Sequence, residues 1–235
     1  MLYLIGAGLK DEYDLSLRAI EVLKNCDEIF FEKYTSYSQI SIKNLEKIIN
    51  KPIISVGRSF IEEKSNEIIN QSKEKNIAII VIGHPLIATT HSIFLSCDHI
   101  EILHNYSVLN YISVTGLDMY KFGRIVSIPF HESYSFIDHI KKNLSINLHT
   151  LILLDLDVEK ERFMIINEAL ERLVEFKEHF FIACCGLAQS NEKILFSTYR
   201  KLQSINFENY PKPQCLILPA NLQFFEEEIL KKYLV

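Results

Sequence analysis

The chain has 235 residues, of which 48% are hydrophobic, and a formal net charge of −5 at pH 7. This length and composition allow one large domain or two small ones with sizeable buried cores, which argues against a disordered chain. Acidic and basic residues are interspersed, so no basic face is available to neutralise phosphates, and we expect no nucleic-acid partner.

Cysteine usage and the N-terminus indicate a cytoplasmic protein. The five cysteines lack C-x-x-C spacing, which argues against a disulfide framework and against a zinc site. The adjacent Cys184 and Cys185 are expected to pack at the end of a strand. The chain begins directly with an apolar segment instead of a secretory leader, and its apolar runs are far shorter than the ~20 residues of a membrane span.

The first half of the chain alternates short apolar runs with amphipathic segments. Residues 2–5 predict a strand, followed by a glycine turn at 6–8 and a helix with Asp14 as its N-cap. Further strands are predicted at 28–32, 53–56, 77–82 and 99–103, and helices at 42–49 and 61–73. This alternation indicates an α/β domain with a mostly parallel sheet over residues 1–113. A dinucleotide-binding turn would require glycine at position 11, where the chain has Asp11, so that function is not indicated.

The second half, residues 114–235, predicts a further α/β domain with a mixed sheet. Strands are predicted at 125–128, 150–154, 180–184, 193–196 and 214–218, and helices at 134–142, 161–177 and 222–234. The segment 186–192 is too short for a crossover helix, so the strands that it joins should be antiparallel. Charged residues Glu226, Glu227 and Glu228 in the tail are expected to form a solvated helix face.

The loop from Gly83 to His91 is the leading candidate for a ligand site. It follows a continuous apolar run that is typical of a buried parallel strand. Ligands in open α/β sheets bind outside the carboxyl ends of such strands. Gly83 and Pro85 flank His84 and hold the turn in one shape, because glycine tolerates positive φ and proline fixes φ.

Seven motifs are spread from the N-terminus to the second half of the chain. They are Gly6-x-Gly8-Leu9, Glu32-x-Tyr34-Thr35-Ser36, Gly83-x-Pro85-x-x-Ala88-Thr89-Thr90-His91, His104-Asn105-x-Ser107, Gly116-Leu117-x-x-Tyr120-Lys121-Phe122-Gly123, His149-Thr150-Leu151 and Gly186-Leu187-Ala188. As a set they resemble the diphthine synthase family, the methyltransferases of diphthamide biosynthesis, which are a branch of the tetrapyrrole-methylase fold.

The resemblance implies two αβα domains with S-adenosylmethionine in the cleft between them, and a homodimer. The implied substrate is a histidine of translation elongation factor 2 that carries a 3-amino-3-carboxypropyl group. Methyl groups go onto the amine, and in the eukaryotic branch one more goes onto the carboxylate, with S-adenosyl-L-homocysteine as the cofactor product. The implied cofactor-binding residues are Leu9, His84, Ile87, Ser107, Val108, Leu154, Ser190 and Gln214.

The chain departs from the family pattern at two of these positions. The family has aspartate at position 84 and commonly histidine at position 214, where this chain has His84 and Gln214. An aspartate would attract the cationic cofactor, whereas a protonated histidine would repel it. One alternative is therefore a family member that binds the cofactor or the elongation factor but catalyses weakly. Another is a methylase of the same fold that acts on a small tetrapyrrole.

We assign no catalytic side chain and no metal from the sequence. The sulfonium of the cofactor already activates the methyl group, and positioning alone can supply roughly 7–11 kcal/mol of the barrier. His91, His104 and His149 are candidates for the proton acceptor by residue type. A histidine at the edge of a strand is, however, more often a structural hydrogen-bond partner.

Overall fold

The computed structural model describes residues 1–235, and the chain divides into two compact units. The N-terminal unit contains Met1–Asn110 together with Val158–Lys160, and the C-terminal unit contains Tyr111–Asp157 together with Glu161–Val235. Each unit has its own five-stranded sheet. None of the helices has the length and apolar character that a membrane span would require.

The sheet of the N-terminal unit is entirely parallel, as the alternating pattern predicted. Its strands are β1 (Leu2–Gly6), β2 (Glu28–Glu32), β3 (Ile54–Val56), β4 (Ile77–Val81) and β5 (Ile100–Leu103), in the spatial order β3-β2-β4-β1-β5. The helices are α1 (Leu17–Asn25), α2 (Ile42–Ile49), α3 (Arg58–Gln71) and the single turn α4 (Val108–Tyr111).

Strand β4 lies at the centre of this sheet, and all of its residues are buried. Successive side chains of a strand point to opposite faces. Ala78 and Ile80 accordingly belong to the hydrophobic cluster that includes residues of α1 and α2. Ile79 belongs to the cluster on the other face, which includes Ile61 and Ile68 of α3. The unit is therefore a three-layer αβα arrangement, as expected.

The prediction that Asp14 caps the first helix was wrong. The cap is Ser16, whose Oγ accepts the Ala19 N–H at 3.1 Å. Asp14 instead ends a short 3₁₀ helix, and its carboxylate accepts backbone N–H groups that precede it in the chain. The local pattern did not reveal this extra turn between the first strand and the helix.

The C-terminal unit has a mixed sheet, which confirms the predicted antiparallel pairing. Its strands are β6 (Val126–Ile128), β7 (Thr150–Leu154), β8 (Leu156–Asp157), β9 (Arg162–Phe163), β10 (Phe180–Cys185), β11 (Lys193–Thr198) and β12 (Gln214–Leu218). Strands β8 and β9 form a separate hairpin, and the other five follow the order β11-β10-β12-β7-β6. Within that sheet only the β6–β7 pair is parallel.

The helices of this unit are α5 (Ser135–Ser145), α6 (Ile166–Arg172), α7 (Tyr199–Gln203) and α8 (Phe224–Leu230). The prediction of a long helix at 161–177 was wrong, because α6 covers only the central part of that range. The N–H of Met164 bonds to Asp155 O at 3.0 Å, which extends the β8–β9 hairpin past residue 163. The N–H of Ile166 bonds to the Gln214 side chain at 2.9 Å, which fixes the start of α6.

The tail carries a buried carboxylate where a solvated helix face was expected. Glu227 and Glu228 are exposed, but Glu226 is fully buried. Its Oε2 accepts the Gln223 N–H at 2.7 Å in a capping box, and its Oε1 accepts the Asp118 N–H at 2.9 Å. Burial alone raises the pKa of Glu226, but these hydrogen bonds and one from His149 hold it below its usual value.

Substitution of a core aromatic should show how much the C-terminal unit depends on its packed interior. Phe181 on β10 is fully buried, whereas Phe224 on α8 is 81% exposed. We expect Phe181→Ala to lower the free energy of unfolding by about 3–5 kcal/mol through lost burial and a residual cavity. Phe224→Ala is the matched control and should change it by less than about 0.5 kcal/mol. Urea denaturation checks both, and similar losses in the two variants would contradict the prediction.

Candidate cofactor-binding site

The loops that follow β1 and β4 are joined through two glycines. The N–H of Gly83 bonds to Gly8 O at 2.7 Å, and the N–H of Gly8 bonds to Gly83 O at 3.3 Å. Gly8 and Gly83 have φ angles of 75° and 77°, which side chains disfavour. A Cβ at Gly6 would lie 2.7 Å from Gly83 O. Glycine is therefore favoured at Gly8 and Gly83 by the positive φ, and at Gly6 by the close approach of the loop after β4.

The structure brings the five predicted residues of the N-terminal unit to one edge of its sheet. A Cβ at Gly83 would lie 3.6 Å from Leu9 Cδ2 and 3.8 Å from Ser107 Cβ. The five residues follow β1, β4 and β5, which are adjacent strands. They are Leu9, His84, Ile87, Ser107 and Val108. Their contact with a cofactor stays a prediction, but their grouping at the carboxyl ends of parallel strands is the arrangement that a ligand site requires.

The side chains at this edge suit a nucleoside cofactor. Leu9, Ile87 and Val108 are half-buried apolar residues, and each lies in a segment that follows a strand. Half-buried apolar side chains beside a few polar groups are typical of small-molecule pockets. These residues therefore fit an adenosine-containing group such as S-adenosylmethionine.

His84 is held in one orientation by two hydrogen bonds. Its Nδ1 accepts the Leu86 N–H at 3.1 Å, so the proton of the neutral ring lies on Nε2. That Nε2 lies 2.9 Å from Nδ1 of His104, and the two rings stack with centroids 5.0 Å apart. Burial, and secondly the neighbouring His104, lower the pKa of His84. At neutral pH this position therefore presents a neutral ring and no negative charge.

The three predicted residues of the C-terminal unit also share one sheet edge. Leu154 ends β7 and Gln214 begins β12, and the register pairs Cys215 with Leu153 one position further in. Ser190 is exposed in the turn between β10 and β11. That turn adjoins the start of β12, because the N–H of Gly186 bonds to Pro213 O at 2.8 Å.

The side chain of Gln214 is bound within the fold. It is buried, its Oε1 accepts the Ile166 N–H at 2.9 Å, and its Nε2 donates to Phe207 O at 2.9 Å. These bonds hold the start of α6 and the 3₁₀ turn at Phe207–Asn209. The amide therefore has a structural role, whatever the residue contributes to a ligand.

A second polar cluster, which the sequence analysis did not bring together, lies at the ends of β2 and β4. We call Glu32, Tyr34, Thr89 and His91 the β2–β4 cluster. Glu32 is fully buried, and its carboxylate accepts the Thr35 N–H at 3.0 Å and the Ile82 N–H at 3.4 Å. Burial raises the pKa of Glu32. The motifs containing Glu32 and His91 follow adjacent strands, which is the signal that could have placed them together.

His91 is fully buried within the β2–β4 cluster. Its ring stacks on Tyr34 with centroids 5.8 Å apart, and its Nδ1 is hydrogen-bonded to the Thr89 hydroxyl. Its Nε2 has no hydrogen-bond partner. Burial lowers the pKa of His91 to about 4. The ring is therefore neutral at physiological pH.

His149 serves the fold of the C-terminal unit. Its Nδ1 accepts the Ala220 N–H at 2.9 Å, so the proton of the neutral ring lies on Nε2, which is 3.0 Å from Glu226 Oε1. Burial lowers its pKa despite the nearby Glu226. Since both nitrogens are engaged, the geometry favours the structural interpretation of this histidine. No group of three or more histidine, cysteine, aspartate or glutamate side chains is placed to hold a metal ion.

The burial of His91 predicts a pH-dependent stability. Between pH 6.5 and about 4 the unfolded chain binds a proton that the folded His91 does not, so stability should fall as the pH drops through this range. The free energy of unfolding includes the full contribution of the neutral His91 above pH 6.5, and it is lower by about 3 kcal/mol near pH 4. Urea unfolding at several pH values should show a smaller loss for His91→Gln than for the wild type. Exposed His131→Gln is the control and should keep the wild-type slope; an unchanged slope in His91→Gln would contradict the prediction.

Comparison with known proteins identifies the family. The sequence pattern of the family described as Tetrapyrrole (Corrin/Porphyrin) Methylases matches residues 1–203. The chain is 35% identical to an Arabidopsis thaliana protein named "Probable diphthine methyl ester synthase", over 99% of this chain and 98% of that protein. It is 33% identical to a diphthine synthase of Methanococcus maripaludis strain C6, over 98% of both chains.

A solved structure agrees with the sequence comparison. A crystal structure of diphthine synthase superposes with a TM-score of 0.90 at 30% identity, covering 100% of this chain and 96% of the other. The α/β fold implied by the resemblance is thereby confirmed. The chain belongs to the tetrapyrrole methylase family and, within it, to the diphthine synthases.

Proposed function

We propose that the protein is an S-adenosylmethionine-dependent methyltransferase of diphthamide biosynthesis. Its substrate is the 3-amino-3-carboxypropyl histidine of translation elongation factor 2. The observation that carries this proposal is the assembly of Leu9, Gly83 and Ser107 at the carboxyl ends of adjacent strands, in a chain that matches diphthine synthases over nearly its whole length. All eight residues named from the family resemblance are proposed as cofactor contacts.

We also propose that the protein acts in the cytoplasm as a homodimer. All five cysteines are free and buried, which is in keeping with a reducing compartment. The proposal of a homodimer rests on the family resemblance.

The protein's own contribution to the reaction is orientation and exclusion of water. When bound, S-adenosylmethionine supplies a methyl group that its sulfonium has already activated. Half-buried Leu9, Ile87 and Val108 provide the apolar surface for the cofactor, and the Gly8–Gly83 hydrogen bonds fix the loops that carry two of them. Orientation of a nucleophile by a rigid site is worth roughly 7–11 kcal/mol of the barrier.

The amine must be neutral when it attacks the methyl group. His91 and His149 are fully buried and hydrogen-bonded within their units. We therefore assign neither of them as the proton acceptor.

Methylation of the modified elongation factor tests the proposed activity. Elongation factor 2 that carries the 3-amino-3-carboxypropyl histidine should gain mass in increments of one methyl group after incubation with the protein and S-adenosylmethionine. Three increments indicate the trimethylated amine, and a fourth indicates the methyl ester. Mass spectrometry of the peptide that contains this histidine counts the methyl groups that were added.

The diphthine synthase of Methanococcus maripaludis is the positive control for the same substrate preparation. If the control adds methyl groups and this protein adds none while still binding the elongation factor, the activity is refuted in favour of a binding role. If it does not bind the elongation factor, a small tetrapyrrole becomes the better substrate.

The histidine at position 84 should make cofactor binding depend on pH. Because the pKa of His84 is lowered, the ring gains its positive charge below pH 6.5, and the affinity for the cationic cofactor should then fall. We expect His84→Asp to bind S-adenosylmethionine about tenfold more tightly at neutral pH and to keep that affinity down to about pH 5. His84→Asn removes the titrating group without adding charge, so its affinity should not change with pH. Calorimetric titration at neutral pH and at about pH 5 measures these affinities. Equal affinities of the wild type and His84→Asp at both pH values would contradict the prediction.

A further inference from the structure

Asp14 is bonded to the turn that carries Leu9. Its Oδ2 accepts the N–H of Leu9 at 3.1 Å and the N–H of Lys10 at 2.8 Å. The hydroxyl of Tyr106 donates to the same oxygen. A Cβ at Gly8 would lie 2.6 Å from Asp14 Cβ, so the aspartate packs directly against the turn. One carboxylate oxygen thus binds the turn after β1 and the segment after β5.

Asn105 joins the same two segments at a second place. Its Nδ2 donates to Gly6 O and to Asp14 O, both at 3.0 Å. Its Oδ1 accepts the Tyr106 N–H at 2.9 Å. The residues immediately before Ser107 are therefore bonded to the end of β1 and to the backbone of Asp14.

These bonds connect two segments that each carry predicted cofactor contacts. Leu9 lies in the first segment, and Ser107 and Val108 follow directly on the second. Hydrogen bonds to an ionised carboxylate are about twice as strong as bonds between neutral groups. A neutral side chain at position 14 would hold two N–H groups and a hydroxyl less firmly.

We propose that Asp14 is a positioning residue for cofactor binding, which acts together with Tyr106 by holding the Leu9 turn against the segment that leads to Ser107. This inference rests on the proposed function, because it takes S-adenosylmethionine as the ligand of these segments. Asp14 acts through the geometry of the two segments, so its loss should affect cofactors with and without a charged sulfur alike.

Two single variants, their combination and a control variant test this role. Asp14→Asn removes the charge, and Tyr106→Phe removes the hydroxyl while the carboxylate remains. Asp11→Asn is the matched control, because Asp11 lies in the same turn and its Oδ1 accepts the Tyr13 N–H at 3.0 Å, a bond that asparagine retains. Thermal unfolding verifies that each variant is folded.

Hydrogen exchange of the free protein provides the first readout. Asp14→Asn and Tyr106→Phe should both speed exchange at the amides of Leu9 and Lys10, whereas Asp11→Asn should leave these amides unchanged. Unchanged exchange in Asp14→Asn and Tyr106→Phe would overturn the inference. This readout needs no ligand, so it tests whether Asp14 and Tyr106 hold the turn even if the wild type binds no cofactor and the proposed function fails.

Calorimetric titration with S-adenosylmethionine and S-adenosylhomocysteine provides the second readout. We expect Asp14→Asn to weaken both ligands about tenfold, which corresponds to about 1.4 kcal/mol. Tyr106→Phe should weaken both to a smaller extent, and the double variant should lose less affinity than the sum of the two single losses, because the two residues share one contact. A loss confined to the sulfonium ligand would show that Asp14 acts by its charge and would overturn the positioning role.

Discussion

The two hydrogen bonds between Gly8 and Gly83 hold together the loops on which the candidate site depends. Parallel strands place their carboxyl ends at one edge of the sheet, but the loops that leave β1 and β4 would diverge without a direct connection. A residue with a side chain would be strained at either position by roughly 1–2 kcal/mol, since both have positive φ. The connection keeps Leu9 next to Gly83, and the Asn105 and Tyr106 contacts add the segment that leads to Ser107. The site is thus held together by the backbone bonds between the two glycines and by the side chains of Asn105, Tyr106 and Asp14.

Buried ionisable residues in this protein mainly satisfy backbone groups. Glu32 accepts N–H groups at the ends of β2 and β4, and Glu226 caps α8 and holds Asp118. His149 completes the second arrangement by bonding both Glu226 and Ala220. An unpaired buried N–H costs about 1–3 kcal/mol, so these residues are explained by the connections that they stabilise. Their chemical type alone is therefore no argument for catalysis.

Elements with a strong local pattern could be predicted from the sequence to the residue. The alternating or continuous apolar runs of β2, β7 and β12 and the periodicity of α2 depend on burial along the element itself. The errors at Asp14, at residues 161–177 and at Glu226 have a different origin. Asp14 binds the preceding N–H groups of Leu9 and Lys10, while Ser16 caps the helix. In the other two cases a distant partner decides the structure: the Gln214 side-chain amide fixes the start of α6, and the Asp118 N–H binds Glu226. Local propensity contains no information about such partners.

The candidate site, too, could be predicted where it depends on the order of the strands, but not where it depends on contacts between distant residues. The grouping of Leu9, His84 and Ser107 follows from the rule that strand ends of a parallel sheet meet at one edge. The contact of His84 with His104 joins residues far apart in the chain, and the bond of the Gln214 side chain with Ile166 does the same. Both concern the positions where the chain differs from the family pattern. Sequence reasoning could identify these differences but could not supply the contacts that accompany them.

The carboxylate of Asp14 also bears on which cofactors the glycine turn can accept. Free N–H groups in a turn between a strand and a helix form an anion-binding site, and dinucleotide-binding proteins use them to hold a pyrophosphate. Here the amides of Leu9 and Lys10 already bind an anion that belongs to the protein. A phosphate could not accept hydrogen bonds from these two N–H groups, and the carboxylate of Asp14 would repel it. The turn between β1 and the first helix therefore favours a ligand without a phosphate group. A sulfonium cofactor such as S-adenosylmethionine meets that condition.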